Sequence, residues 1–337
     1  MEISSMTAHH SSNKLCSRSR LIASIREVHG RLSFHAYSIW LFTFSDLKTI
    51  VFPQTAFGIL SALSKTGPIT ADGSGAGEEY YLFIARRIPL VLFWVWLNLL
   101  PFEINNQNQP QGIEEDRLNK PWRTMPSNRW SPRQATNAML FFYFVAIGVS
   151  WHLGGIRWSL SLVVLGIWYN NMGGSDVNPF IRNLINALGY ISFAAGALET
   201  ALDEPLRYDW AFTIDLSKPP TLETWLMTIL SVILTTVHTQ DMEDQEGDAL
   251  RGRRSLPLQI GDGPCRWVTA VSMSFWGIFC PLLWGCGWLG YVCSISLAFA
   301  VASRSLVLRN VEADKTTFKI WNLWIVCIYT LPLITKY

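Results

Sequence analysis

Long apolar runs alternate with polar breaks along almost the whole chain. A helix needs roughly 20 mostly apolar residues to cross a hydrocarbon core, and about nine runs come near that length. They fall at 36–63, 84–104, 134–151, 155–171, 180–202, 221–240, 265–285, 287–308 and 317–335. The third and fourth are short enough to lie tilted or in the interface. Trp130, Trp151, Trp158, Trp168, Tyr169, Trp225 and Trp321 crowd the run ends, as interfacial aromatic residues do. The pattern predicts an all-α, polytopic transmembrane bundle of about nine helices, a single domain over 34–337. Residues 1–33 are Ser-rich and basic, without an apolar core long enough for a secretory signal, and read as a flexible basic tail. A cleaved organelle presequence is the alternative for that segment.

Composition agrees with the pattern. Half of the 337 residues are hydrophobic, 15% are charged and the mean hydropathy is +0.21, too apolar for ordinary soluble domains. A formal charge of +2 points to no polyanionic partner such as nucleic acid. The six cysteines sit mostly inside apolar runs without CxxC spacing, which suits packing better than disulfides or a metal site. If the N-terminus and alternate connections share one side, that side holds most of the 27 Lys and Arg, including Arg117, Lys120, Arg123, Arg251, Arg253 and Arg254. The positive-inside rule then turns both long polar loops, 105–133 and 241–264, to the cytosol. An integral multi-pass protein of the endoplasmic reticulum is the expected setting.

The chemistry concentrates in those loops. In "HTQDMEDQEGDALRGRRSLP", 238–257, the spacing of Asp241, Asp244 and Asp248 is i, i+3, i+7. On one continuous helix these carboxylates fall within about 60° of each other. They would repel strongly without a cation between them, and hard oxygen donors suit Mg2+. Arg251, Arg253 and Arg254 follow as donors for an anion. A merely solvated charged loop is the competing reading. The segment "NNQNQPQGIEEDRLNKPWRTMPSNR", 105–129, repeats the recipe with Asn106, Gln107, Glu114, Glu115 and Asp116, then Arg117, Lys120 and Arg123. Two such clusters on one side suggest a pair of metal sites gripping a diphosphate, whose departure leaves a cation that must be kept dry. His238 stands beside the first cluster; a hydrogen-bonded helix-end residue is the plainer reading, a proton-removing base the sharper one. The stretch 199–210 reads as a solvated turn on the far side.

The segment "DMEDQEGDALRGRRSLP" closely resembles the second aspartate-rich motif of the UbiA superfamily of intramembrane prenyltransferases. That motif is D-x-x-D-x-x-G-D followed by G-(R/K)-x-(S/T)-L-P. The family's first motif, N-D-x-x-D-x-x-x-D, aligns with Asn106, but Gln107, Pro110 and Glu114 stand where its aspartates belong. The segments "NQ…EEDRLNKPWR" and "WYNNMGGSDVNPFIRNLINALGY" resemble a fungal branch of membrane-bound terpene cyclases. The resemblance implies that Asp241, Asp244 and Asp248 bind Mg2+, with Asn106 and Glu114, Glu115 or Asp116 serving another ion. It implies Lys120, Arg123 and Arg253 or Arg254 on phosphate oxygens, and Tyr169, Asn170, Arg182 and Asn183 lining the pocket. Glu115 and Asp116 are alternatively residues that hold Lys120 and Arg123 in place.

The implied activity is ionisation of an isoprenyl diphosphate by a membrane enzyme. In a cyclase the cation is attacked by its own double bonds, and the resemblance favours this route with farnesyl diphosphate as substrate. In a transferase an aromatic or polyketide acceptor attacks instead. The eroded first motif leaves room for a third class, a transporter or non-catalytic scaffold on the same fold.

Overall fold

The computed structural model describes residues 24–64, 77–208 and 214–336. The expected flexible tail lies mostly outside those residues, but its last part does not: helix α1 already runs from 24 to 43, so 24–33 is helical. A 3-10 turn at Phe44–Asp46 and a π-helical turn at Leu47–Val51 then lead into α2, Phe52–Leu63. Pro53 explains part of this break. It has no N–H, so the carbonyl of Thr49, four residues back, loses its α-helical donor. The hydroxyl of Tyr190 donates to that carbonyl instead, at 3.2 Å.

The remaining apolar runs each form a helix. They are α3 (Glu78–Gln107), α5 (Pro132–Leu153), α6 (Ile156–Asn170), α7 (Pro179–Leu202), α8 (Leu222–Thr236), α11 (Asp262–Leu283), α12 (Trp288–Val307) and α13 (Val311–Tyr329). The polar loops carry three short helices, α4 (Pro110–Asn119), α9 (Gln245–Arg251) and α10 (Leu256–Ile260). Among the described residues the only extended pairing is an isolated bridge, Cys286 with Thr335. Among the described residues six helices, counting α8 with its 3-10 extension to Met242, are long and apolar enough to cross a membrane.

Local signals set the helix starts. Ser131 and Gln134 form a capping box ahead of α5, and the Asn178 side chain accepts from the Phe180 and Ile181 N–H groups at the start of α7. In both helices Pro takes the first position, where no N–H is required.

Helix α7 is the hub, packing on α2, α3, α6 and α8. Ala194, Ala195, Gly196, Ala197 and Ala201 give it a buried small-residue surface that lets neighbours approach closely. The ring of Trp94 on α3 lies where a Cβ on Gly196 would stand, 2.1 Å away, and a Cβ on Gly58 would come within 2.7 Å of the Ala197 backbone. On the far side Arg87 donates to the Thr200 and Leu153 carbonyls and pairs with Asp203, closing the ends of α7 and α5. The five cysteines among the described residues are free, as packing residues should be.

The Trp94 contact makes a test. Gly196→Leu should cost about 1–3 kcal/mol through overpacking. Gly148→Ala on α5, where a Cβ meets nothing within 4 Å, should gain about 0.5–1 kcal/mol from helix propensity. Thermal unfolding in one detergent compares them.

Candidate active site

One cavity opens among the ends of α3, α6 and α7, the 3-10 turn Val237–Met242 that extends α8, and the two polar loops. Its inner wall is apolar, with Leu99, Phe102, Leu162, Leu165, Ile185 and Phe193. Its mouth is charged, with Asp46, Glu103, Glu115, Lys120, Arg123, Arg182, Asp244 and Arg253. The loops are brought together because α4 packs on α9. Gly247 permits this: a Cβ there would stand 2.2 Å from the Asn119 amide nitrogen.

The continuous helix expected through Asp241, Asp244 and Asp248 does not form. Asp241 sits in the 3-10 turn, the chain breaks at Asp244, and Asp248 belongs to the short α9. Among the described residues no three His, Cys, Asp or Glu side chains gather into a metal-binding group. Each aspartate instead takes its own cation. Arg182 donates to Asp241 at 2.6 Å and also to the Tyr169 hydroxyl, Lys120 reaches Asp244 at 3.3 Å, and Arg253 donates to Asp248 at 2.6 Å. Buried charges this close must be paired, since desolvation would otherwise cost several kcal/mol each.

These pairings leave oxygen atoms unspent. Asp241 Oδ2, Asp248 Oδ2 and Asn106 Oδ1 are buried with no hydrogen-bond partner. Hard oxygen donors with free lone pairs fit Mg2+, which retains waters and takes one or two carboxylates together with substrate phosphates. Each of these oxygens has the chemistry that fits the ion, but Asp241 and Asp248 stand outside the cavity lining, and the three-carboxylate cluster that a single helical face would have produced does not form.

In the first polar loop Glu115 and Asp116 both meet arginine side chains. Asp116 accepts two bonds from Arg123 Nη1, at 3.0 and 3.1 Å, while Glu115 pairs with Arg251 at 3.0 Å and Arg253 at 3.2 Å. Both hold guanidinium groups in place. Glu114 does not join them: its exposed side chain pairs with Arg117, outside the cavity. Arg254 is exposed too, and its backbone N–H donates to the Asp176 carbonyl. Of the two arginines carried over from the motif, Arg253 is the one in the cavity wall. Asn170 and Asn183 are buried but outside the lining, and Asn183 donates to the Leu234 carbonyl. His238 is buried with its Nε2 2.9 Å from Thr269 Oγ1.

Electrostatics follow from these contacts. Burial alone would raise the Asp244 carboxyl, but Lys120, and behind it Arg123 and Arg182, outweigh burial and hold it below its ordinary value. Burial works the same way on Glu115, where Arg253 and Arg251 prevail and lower it. For Asp116 and Asp248 burial wins over the neighbouring arginines, and both carboxyls are pushed up.

Three groups, two at the mouth and one outside the lining, escaped sequence reasoning. Glu103 lies one helical turn before Asn106 and shares its face, with Arg123 at 4.0 Å and the Gln107 amide donating at 3.1 Å. Its i, i+3 relation to Asn106 was a usable signal. Asp46, 3.6 Å from Arg123, comes from the break after α1 and carries no local signal. Asp176, between α6 and α7, pairs with both Arg251 and Arg253, at 3.1 and 3.2 Å.

Comparison with known proteins agrees with this architecture. Residues 77–323 match the UbiA prenyltransferase family. The chain is 25% identical over 299 residues to the fumagillin β-trans-bergamotene synthase of Aspergillus fumigatus, covering 89% of this chain and 92% of that one. It is 26% identical over 323 residues to the somaliensene A/B synthase of Streptomyces somaliensis, covering 87% and 90% respectively. A UbiA homologue from Archaeoglobus fulgidus, solved with GPP and Mg2+, superposes with a TM-score of 0.52 at 11% identity, over 88% of this chain and all of that one. That likeness shows the shared fold.

Asp241→Ala strands the buried Arg182, and should lower stability by about 3–5 kcal/mol. Glu114→Ala, at the exposed pair, should change it by less than about 0.5 kcal/mol. Denaturation in detergent micelles, read for both variants beside the wild type, checks the contrast.

Proposed function

The chain belongs to the UbiA prenyltransferase family, and from that membership we propose that it is a Mg2+-dependent membrane terpene cyclase. It is an integral membrane enzyme of prenyl substrates. Its proposed substrate is farnesyl diphosphate, its product a cyclic sesquiterpene, and its mouth opens to the cytosolic face of the endoplasmic reticulum. The observation that carries the reading is one cavity with Lys120, Arg123, Arg182 and Arg253 at its mouth and an apolar inner wall. Such a chamber suits a molecule with a diphosphate head and a hydrocarbon tail. The names of the bergamotene and somaliensene synthases, each matched over about nine-tenths of its length, favour cyclisation over transfer.

The charges suggest the mechanism. Lys120, Arg123 and Arg253 present donors to the diphosphate, so that charge developing on the leaving oxygen meets preorganised cations. When bound, Mg2+ would supply further positive charge at the phosphate oxygens, held by Asp241, Asp244, Asp248 and Asn106. The C1–O bond breaks with its electron pair going to the diphosphate. A double bond of the same chain then attacks C1, and loss of a proton restores neutrality. Phe102, Tyr169 and Tyr190 line the chamber and offer aromatic faces to the cation. Leu99, Leu162, Leu165 and Ile185 exclude the water that would quench it. Asp116, Glu115 and Asp176 keep the guanidinium groups in position.

Membranes containing the protein, given farnesyl diphosphate and Mg2+ without an acceptor, should yield a cyclic hydrocarbon by gas chromatography–mass spectrometry. EDTA should abolish it, and Asp244→Ala/Asp248→Ala should reduce it by at least about 10^2-fold. Product formation undiminished in the double variant would sink the proposed site. Diphosphate release only after addition of an aromatic or polyketide acceptor would make the enzyme a transferase.

A further inference from the structure

Asp46, Glu103, Glu115 and Asp244 are the carboxylates that line the chamber among the described residues. Three of them are spent on cations. Glu115 meets Arg251 at 3.0 Å and Arg253 at 3.2 Å, Asp244 meets Lys120 at 3.3 Å, and Asp46 meets Arg123 at 3.6 Å. Glu103 differs. Its nearest cation among the described residues is Arg123 at 4.0 Å, and that guanidinium already donates to both oxygens of Asp116, at 3.0 and 3.1 Å.

Glu103 is nevertheless oriented. The Gln107 amide donates to its Oε2 at 3.1 Å, and the same amide nitrogen donates to the Phe42 carbonyl at 2.8 Å. Where the UbiA motif has its first aspartate, this chain thus carries a donor that fixes a carboxylate. Among the described residues no hydrogen bond falls on Glu103 Oε1. Position adds to this. Leu99, Phe102, Glu103 and Asn106 follow helical spacing along α3 and all line the chamber, so Glu103 stands where the apolar wall meets the charged mouth. Its side chain is 6% exposed against 24% for Asp46, which places Glu103 on the drier side of that boundary. Other lining groups are poor proton acceptors. Among the described residues the lining holds no histidine, Tyr190 donates its hydroxyl to the Thr49 carbonyl, and Arg182 donates to the Tyr169 hydroxyl.

We propose that Glu103 is the base that ends the reaction. This role rests on the cyclase reading above and supplies the proton acceptor that its last step requires. Glu103 Oε1 takes a proton from a carbon beside the cationic centre, and the C–H electron pair becomes the last double bond of the product. The neutral carboxyl then passes the proton to the diphosphate at the mouth, which carries it away on release. Protonating Glu115 or Asp244 would instead strand the buried cations that they hold.

The test uses membranes carrying wild type, Glu103→Gln, Glu103→Asp and Asp46→Asn, with farnesyl diphosphate and Mg2+ in heavy-oxygen water and no acceptor. Diphosphate release is measured beside the organic products, and the quantity compared is hydrocarbon formed per diphosphate released. Glu103→Gln keeps the shape but removes the base. It should lower that ratio by about tenfold or more, the balance appearing as a terpene alcohol that carries the heavy oxygen of a captured water. Glu103→Asp draws the carboxylate back by one methylene, so it should retain most of the hydrocarbon and alter the proportions of its double-bond isomers. Asp46→Asn loosens the same arginine without removing the base, so release and hydrocarbon should fall together. An unchanged ratio in Glu103→Gln, or a parallel fall like that of Asp46→Asn, would overturn the base and leave the cyclase reading standing. Should the glutamine variant fail to fold, the aspartate variant decides, and isomer proportions equal to wild type overturn the assignment. A wild type that releases no diphosphate overturns the cyclase reading itself and leaves Glu103 no cation to deprotonate.

Discussion

Arg253 is the contact on which the mouth of this protein depends. Its guanidinium meets Asp248 from α9, Glu115 from α4 and Asp176 from the connection between α6 and α7, so one buried cation joins three chain segments far apart in sequence. A buried ion pair adds little net stability, because desolvation cancels most of the attraction. What it adds is position. Removing one partner strands the others, so the segments hold the single arrangement that satisfies all of them. Arg123 repeats the device with Asp116, Asp46 and Glu103.

Those pairings need a bundle that lets the loops meet. The small residues of α7 draw α2 and α3 close, and the 3-10 turn that ends α1 carries Asp46 toward Arg123. The Thr49 carbonyl released near that turn is taken by Tyr190, which also lines the chamber. The charged mouth and the apolar wall are two consequences of one helix arrangement.

Much of this was legible in the chain. Runs of about 20 apolar residues can satisfy their backbone in lipid only as helices, so the membrane helices follow from composition and length. Asp241, Asp244, Asp248, Lys120, Arg123 and Arg253 stood out because charge is scarce in such a chain and each cluster is local. The resemblance to the UbiA family rested on the same short stretch, and the family match over 77–323 agrees with it.

What the chain could not state was where each charge points. Periodicity placed the three aspartates on one helical face, but the tertiary structure tightens the end of α8 into a 3-10 turn and starts a new helix after Asp244, giving each carboxylate a separate cation. Glu114 and Glu115 are neighbours in sequence, yet one is exposed and the other is buried against two arginines. Asp46 reaches the mouth from a helix break more than 70 residues before Arg123. Local patterning is read by the chain's own neighbours and by the lipid, so it determined the helices, their order and the two polar loops. The choice of partner for each buried charge depends on which distant segments come within a few ångströms, and only the packed bundle decides that.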